Sequence, residues 1–157
     1  MDSPIAQLDR FLAFLSSVLA PAPLRRISRQ VVLAVQNYLW DYVLLRNSFS
    51  MGGAAQFARD VGAVGRVVDR YLGEGQGAVG MRKLNEGIAL LSLPVEAERE
   101  TADGEGNGDE MPGLEEVEAR VFESNEKARE VLHQLGLAVL SESEARRVLQ
   151  ARVELGS

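Results

Sequence analysis

Apolar residues at positions 5, 8, 11, 12, 15, 18 and 19 recur at the three- and four-residue intervals of an α-helix. Ser3 is placed to cap this first helix, Pro4 suits its first turn, and Pro21-Ala-Pro23 stops it. A second helix is predicted from Leu24 to Arg46. Ile27, Val31, Ala34, Val35, Tyr38, Leu39, Tyr42 and Leu45 form one stripe, and Val32, Trp40, Val43 and Leu44 widen it. An apolar surface this broad predicts burial on more than one side. Arg25, Arg26 and Arg29 fall in its first turns, where the helix dipole disfavours cations, so an acidic neighbour is expected.

The third helix is predicted from Met51 or Gly52 to Leu72, with Ser50 as cap and Ala55, Phe57, Ala58, Val61, Val64, Val68, Tyr71 and Leu72 inward. A fourth runs from Ala78 to Leu93 with Val79, Leu84, Ile88, Leu91 and Leu93 inward, and Pro94 ends it. The period is lost over residues 95–112 and returns at Leu114. The fifth helix reaches Leu135, where Gly136 suits a left-handed C-cap. Ser141-Glu-Ser-Glu144 has the form of a reciprocal capping box before a final helix from Ala145 to Leu155. The expectation is an all-α bundle of about six helices, with no internal repeat and no convincing strand.

Composition changes this picture at one place. The net charge is −6, and residues 95–112 hold seven acids and one base, so this segment accounts for all of it. Few apolar residues with high charge cannot offset the entropy of ordering, which predicts a disordered acidic linker. It divides the chain into residues 1–94, with four helices, and 113–157, with the two that close the same bundle. At 157 residues one domain is expected, able to bury about two-thirds of its unfolded surface. No basic stripe supports nucleic-acid binding. The apolar stretch from Ile5 to Ala22 is broken by Asp9 and Arg10 and falls short of a membrane span, and Met1-Asp-Ser-Pro4 lacks the basic leader of a signal peptide.

Little in the chain suggests catalysis. Cys is absent, which removes disulfides, thiolate metal sites and Cys nucleophiles. His133 is the sole histidine and has no evident partner for base or metal chemistry. The carboxylate pairs Glu115/Glu116 and Glu142/Glu144 fit helix N-terminal electrostatics better than acid–base work. Gly75-Gln-Gly77-Ala-Val-Gly80 matches the glycine fingerprint of dinucleotide folds, with Glu96 at a tolerable distance for a ribose contact. That fingerprint works only between a strand and a helix, and here a helix precedes it. A flexible turn is the preferred reading, with nucleotide binding through Gly75–Gly80 the weaker alternative. No cofactor is expected.

The break after the second helix is the most distinctive segment. Asn47-Ser-Phe-Ser-Met-Gly-Gly-Ala-Ala-Gln56 leads on to Asp60. Phe49 is placed to plug the gap between two helices, and Gly52, Gly53, Ala54 and Ala55 to allow close backbone approach. Gln56 and Asp60, one turn apart, are placed to bond exposed amides at a packed corner.

The same residues resemble the C-terminal region of the RINT/TIP family, the endoplasmic-reticulum (ER) tethering subunits of the Dsl/NRZ complex. The family pattern has an aromatic-rich helix followed by Asn/His-x-Phe-x-x-Gly-Gly/Ala-Ala-Ala-Gln-Leu/Phe-x-x-Asp. Asn47, Phe49, Gly52, Gly53, Ala54, Ala55, Gln56 and Asp60 follow it. Ala89-Leu-Leu-Ser-Leu-Pro94, Ala128 to Gly136 and Leu140 to Ala145 resemble its later helix ends, so the likeness covers most of residues 27–155. Residues 73–80 and the acidic linker depart from it. The resemblance implies a CATCHR-type tether end domain without enzymatic activity, peripheral to the ER membrane. It further implies a place in Golgi-to-ER retrograde transport and, as partners, ER SNARE proteins and other tether-complex subunits. A purely structural bundle supporting a larger rod is the alternative.

Overall fold

The structure, a computed structural model, describes residues 2–94 and 112–152, with side chains from Pro4 onward. It is all-α over those residues. The elements are α1 (Asp2–Val18), α2 (Pro21–Tyr38), α3 (Met51–Leu72), α4 (Gln76–Gly80), α5 (Arg82–Leu91), α6 (Leu114–Glu123), α7 (Asn125–Gln134) and α8 (Glu142–Gln150). A six-residue π-helical turn, Leu39–Leu44, extends α2. Most of the acidic linker, residues 95–111, and the end of the expected last helix, residues 153–157, lie outside the described residues.

Several boundaries follow from caps. Ser50 accepts from the Gly53 amide at 3.1 Å and starts α3. Ser141 and Glu144 complete the capping box of α8, each side chain accepting from the other's amide at 3.1 Å. Gly136 takes a left-handed φ of 76° after α7, a conformation glycine adopts without Cβ strain.

Among the described residues eight α-helices stand where six were expected, because two of the predicted helices break. The predicted fifth stops at Ser124, whose extended backbone and hydroxyl, accepting from the Lys127 amide at 3.2 Å, cap a new helix. The predicted fourth breaks at buried Met81, giving the short α4 and then α5. Helix one ends at Val18, just before Pro21-Ala-Pro23 as expected, and these residues also form the first turn of α2, where proline lacks only an N–H that would go unpaired anyway.

Close approaches flank the break at Met81. A Cβ on Gly77 would lie 2.5 Å from the Gly65 carbonyl oxygen, and one on Gly80 would lie 2.6 Å from a Val32 methyl. Side-chain-free positions thus let α4 sit directly against α2 and α3. Gly87 serves α5 in the same way, with a Cβ there falling 2.7 Å from the Trp40 ring. Val79, expected to point inward, is exposed because Gly77 takes the inner side of α4.

One apolar core runs from Val32 through Phe57, Leu84 and Leu91 to Val117, Val131 and Leu149, so both parts of the chain contribute to it. α2 meets α1, α3 and α4, so its broad surface is covered on more than one side, but not completely. Val32, Leu39, Trp40 and Leu44 are buried, whereas Leu33, Tyr38 and Tyr42 are each at least half exposed. Arg25, Arg26 and Arg29 are exposed, and among the described residues no carboxylate pairs with them. The acidic neighbour expected for them is absent there.

The glycine contacts give a direct prediction. Gly77→Ala is expected to destabilise the fold by about 2 kcal/mol through overpacking against rigid backbone. Gly53→Ala is expected to change stability by less than about 0.5 kcal/mol. Parallel thermal melts of the two variants check this.

Candidate functional site

The corner from Asn47 to Asp60 starts at the end of the π-helical turn, where the Leu45 amide donates to the Trp40 carbonyl at 3.0 Å. Asn47 turns back, its side-chain amide donating to the Val43 carbonyl at 2.7 Å, and occupies a helix-end acceptor. The chain then extends. The Phe49 amide donates to the Ala151 carbonyl at 2.7 Å, and Phe49 pairs with Arg152 in an isolated parallel bridge. The Phe49 ring is buried and stacks on Phe57 with centroids 5.5 Å apart. This segment therefore ties the start of α3 to the end of α8.

The remaining corner residues behave differently from the sequence expectation. A Cβ on Gly53 would meet the Ser50 hydroxyl at 3.5 Å and one on Gly52 would meet it at 3.9 Å, both ordinary contacts. No backbone approaches closely there; the tight glycines are Gly77, Gly80 and Gly87. Ala54 is buried, but Ala55, expected inward, faces solvent because the buried stripe of α3 runs through Ala54, Phe57, Val61 and Val64. Gln56 donates to Asp60 at 3.0 Å and accepts from Arg59 at 2.8 Å. Both lie on the outer face of α3 and bond along it, not to the amides of the corner.

Sequence reasoning missed three buried polar residues that bond backbone of another element, and two of them, Glu86 and Arg152, hold the two parts of the chain together. Glu86 of α5 accepts from the amides of Ala138, Val139 and Leu140, through both carboxylate oxygens, at 2.7 to 3.2 Å. Arg152, 1% exposed, donates to the carbonyls of Leu91 and Leu93 at 2.7 and 2.8 Å and so caps the end of α5. Gln36 of α2 accepts from the Leu84 amide at 3.3 Å, near the start of α5. Each meets backbone groups that have no intrahelical partner. Periodicity carries no signal for such pairings, because the partner is backbone and is distant in sequence.

Lys83 links the same elements from outside. Its ammonium lies 2.5 Å from a Glu144 carboxylate oxygen and 4.4 Å from the Trp40 ring centre. Burial raises the Glu144 carboxyl, but hydrogen bonds from Lys83 and Ser141 outweigh it and hold the group below its ordinary value. Glu142 is also lowered, by its own backbone amide and by Arg129.

The glycine fingerprint has another use. The Gly77 amide, which a phosphate would need, donates to Asp69 at 2.7 Å, and no strand precedes it. His133 is exposed in the last turn of α7. Among the described residues no group of three His, Cys, Asp or Glu side chains is placed to hold a metal ion, and no helix is long and apolar enough to cross a membrane.

Among the surface cavities, two lie beside the corner and α1. One, about 500 Å³, is an apolar groove between α1, α2 and α3 that includes Ile5, Leu8, Val31, Tyr38 and Val64. The other, about 220 Å³, opens at the corner between Arg46, Asn47, Ser48, Arg147 and Gln150.

Glu86→Ala leaves three inward-facing amides without an acceptor and is expected to destabilise the protein by about 2–3 kcal/mol in chemical denaturation. Glu144 yields a pH signature. A carboxyl lowered in the fold contributes stability above its unfolded value, near 4.5, and loses it as pH falls through the folded value. Glu144→Gln should therefore lower the melting temperature at about pH 7, with the gap from the parent narrowing as the pH is taken down below the ordinary glutamate value.

Compared with known families, the chain matches the RINT-1/TIP-1 family over residues 1–152. No curated protein and no solved structure matches it.

Proposed function

Because the chain belongs to the RINT-1/TIP-1 family, a tethering family not known to have enzymatic activity, we propose that it is a non-enzymatic part of a vesicle-tethering subunit. Family membership implies a role in vesicle tethering for retrograde transport to the ER. In this reading the chain corresponds to the C-terminal region of such a subunit. It acts in Golgi-to-ER traffic, peripheral to the ER membrane, and binds ER SNARE proteins or other tether subunits.

The observation that carries the reading is the family match across residues 1–152, which takes in every described helix. The physical character of the surface supports it. Phe11, Phe14 and Val18 on α1 and Leu33, Tyr38 and Tyr42 on or beside α2 all stand in solvent. Apolar exposure of this kind suits a protein that works by contact. The reading also treats residues 1–94 and 113–157 as one bundle, supported by the core they share. The corner residues Asn47, Phe49, Gly52, Gly53, Ala54, Ala55, Gln56 and Asp60 are taken as a structural family signature, not as a binding face.

The same exposed α1–α2 surface favours a second reading, a structural bundle packed against more of a rod. Affinity capture separates the two. The immobilised 157-residue chain is expected to retain ER SNAREs or tether subunits from a membrane extract. If it retains none while a longer version carrying further helical segments does, the structural reading stands and direct binding fails.

A further inference from the structure

The apolar groove and the corner pocket are joined by a row of exposed side chains. Tyr38, in the groove wall, stacks on Tyr42 with ring centroids 5.2 Å apart. The Arg46 guanidinium lies 4.4 Å from the Tyr42 ring centre, and Arg46 then lines the corner pocket. Val31 to Arg46 spans about 22 Å at helical rise, or about four turns.

The two ends of this track differ in chemistry. The groove wall contains no charged side chain. The pocket wall contains two arginines, Arg46 and Arg147, together with Asn47, Ser48 and Gln150, and no carboxylate. Among the described residues neither arginine forms an ion pair.

We propose that this track docks an amphipathic helix of a partner protein, with its apolar face in the groove and carboxylates at the end that reaches Arg46 and Arg147. The groove is concave, so it receives protruding side chains of a helix, which a flat membrane surface does not offer. Tyr38 in its wall and Tyr42 stacked on Tyr38 are each at least half exposed, and aromatic anchors of this kind dominate protein contacts. A guanidinium stacked by its face keeps its edge N–H groups for acceptors in its plane, and its fork matches a carboxylate. Charge thus fixes which way round the helix lies. The inference rests on the proposed binding role and gives that role a location and a partner chemistry.

The test uses the full 157-residue chain and two labelled helical peptides of about 18 residues with one leucine face, ending in two glutamates or in two lysines. Fluorescence anisotropy is expected to show the acidic-ended peptide binding about tenfold more tightly. Ala34→Glu, at an exposed position in the groove wall, should remove binding of both. The double variant R46E/R147E should reverse the preference, with circular dichroism confirming that both variants fold. Equal binding of the two peptides, binding unaffected by Ala34→Glu, or binding of phosphatidylserine vesicles but of neither peptide overturns the site. Capture of SNAREs or tether subunits by both variants as well as by the parent chain would overturn this site while leaving the proposed function intact.

Discussion

Glu86 carries a carboxylate into the interior of a small helical protein, and the cost of removing that charge from water must be met locally. The turn between α7 and α8 meets it with three consecutive amides, those of Ala138, Val139 and Leu140. The turn has the complementary difficulty, since its amides face inward with no helix or strand to satisfy them. Each group thus resolves the other, and α7, α8 and α5 are fixed in one arrangement. Arg152 repeats the scheme with opposite sign, giving its N–H groups to carbonyls at the end of α5. α5 is thus joined to the α7–α8 turn and to the residue after α8 by charged side chains that bond backbone.

This arrangement explains why the α1–α2 end looks different. There the contacts are apolar and incomplete, with Leu12 and Val32 buried but Phe11, Phe14 and Leu33 in solvent. Asp9 joins α1 to α3 through Tyr71 and Arg70 at 2.7 and 3.1 Å, and its hydrogen bond raises the Tyr71 hydroxyl above its ordinary value. The rigid, polar-clamped half builds the corner at Phe49, while the open half supplies apolar surface. Such a division suits the contact role proposed for this chain.

Helical class, the caps at Ser50 and Ser141, and the turn at Gly136 were legible because each depends on residues close in sequence. The breaks at Ser124 and Met81 were hidden. At Ser124 the apolar period continues through the cap, and before Met81 the glycines that break the period lie against Gly65 and Val32, which only the fold brings near. The same limit applies to the corner. Phe49 and Phe57 are bulky and eight residues apart, so their packing is readable, but the pairing of Phe49 with Arg152 is not. Glycines mislead most. Gly52 and Gly53 look like a close approach and have room to spare, whereas Gly77, in a motif suggestive of phosphate binding, is the tightest point of the bundle.

Native-state hydrogen exchange tests the central claim directly. Ala138 and Val139 lie in a turn with exposed side chains, where free amides exchange quickly. If the Glu86 carboxylate holds that turn, the amides of Ala138, Val139 and Leu140 will exchange only as slowly as those in the middle of α5 and α8. Exchange at the rate of an unprotected loop would contradict it, and with it the view that a buried charge fixes this fold.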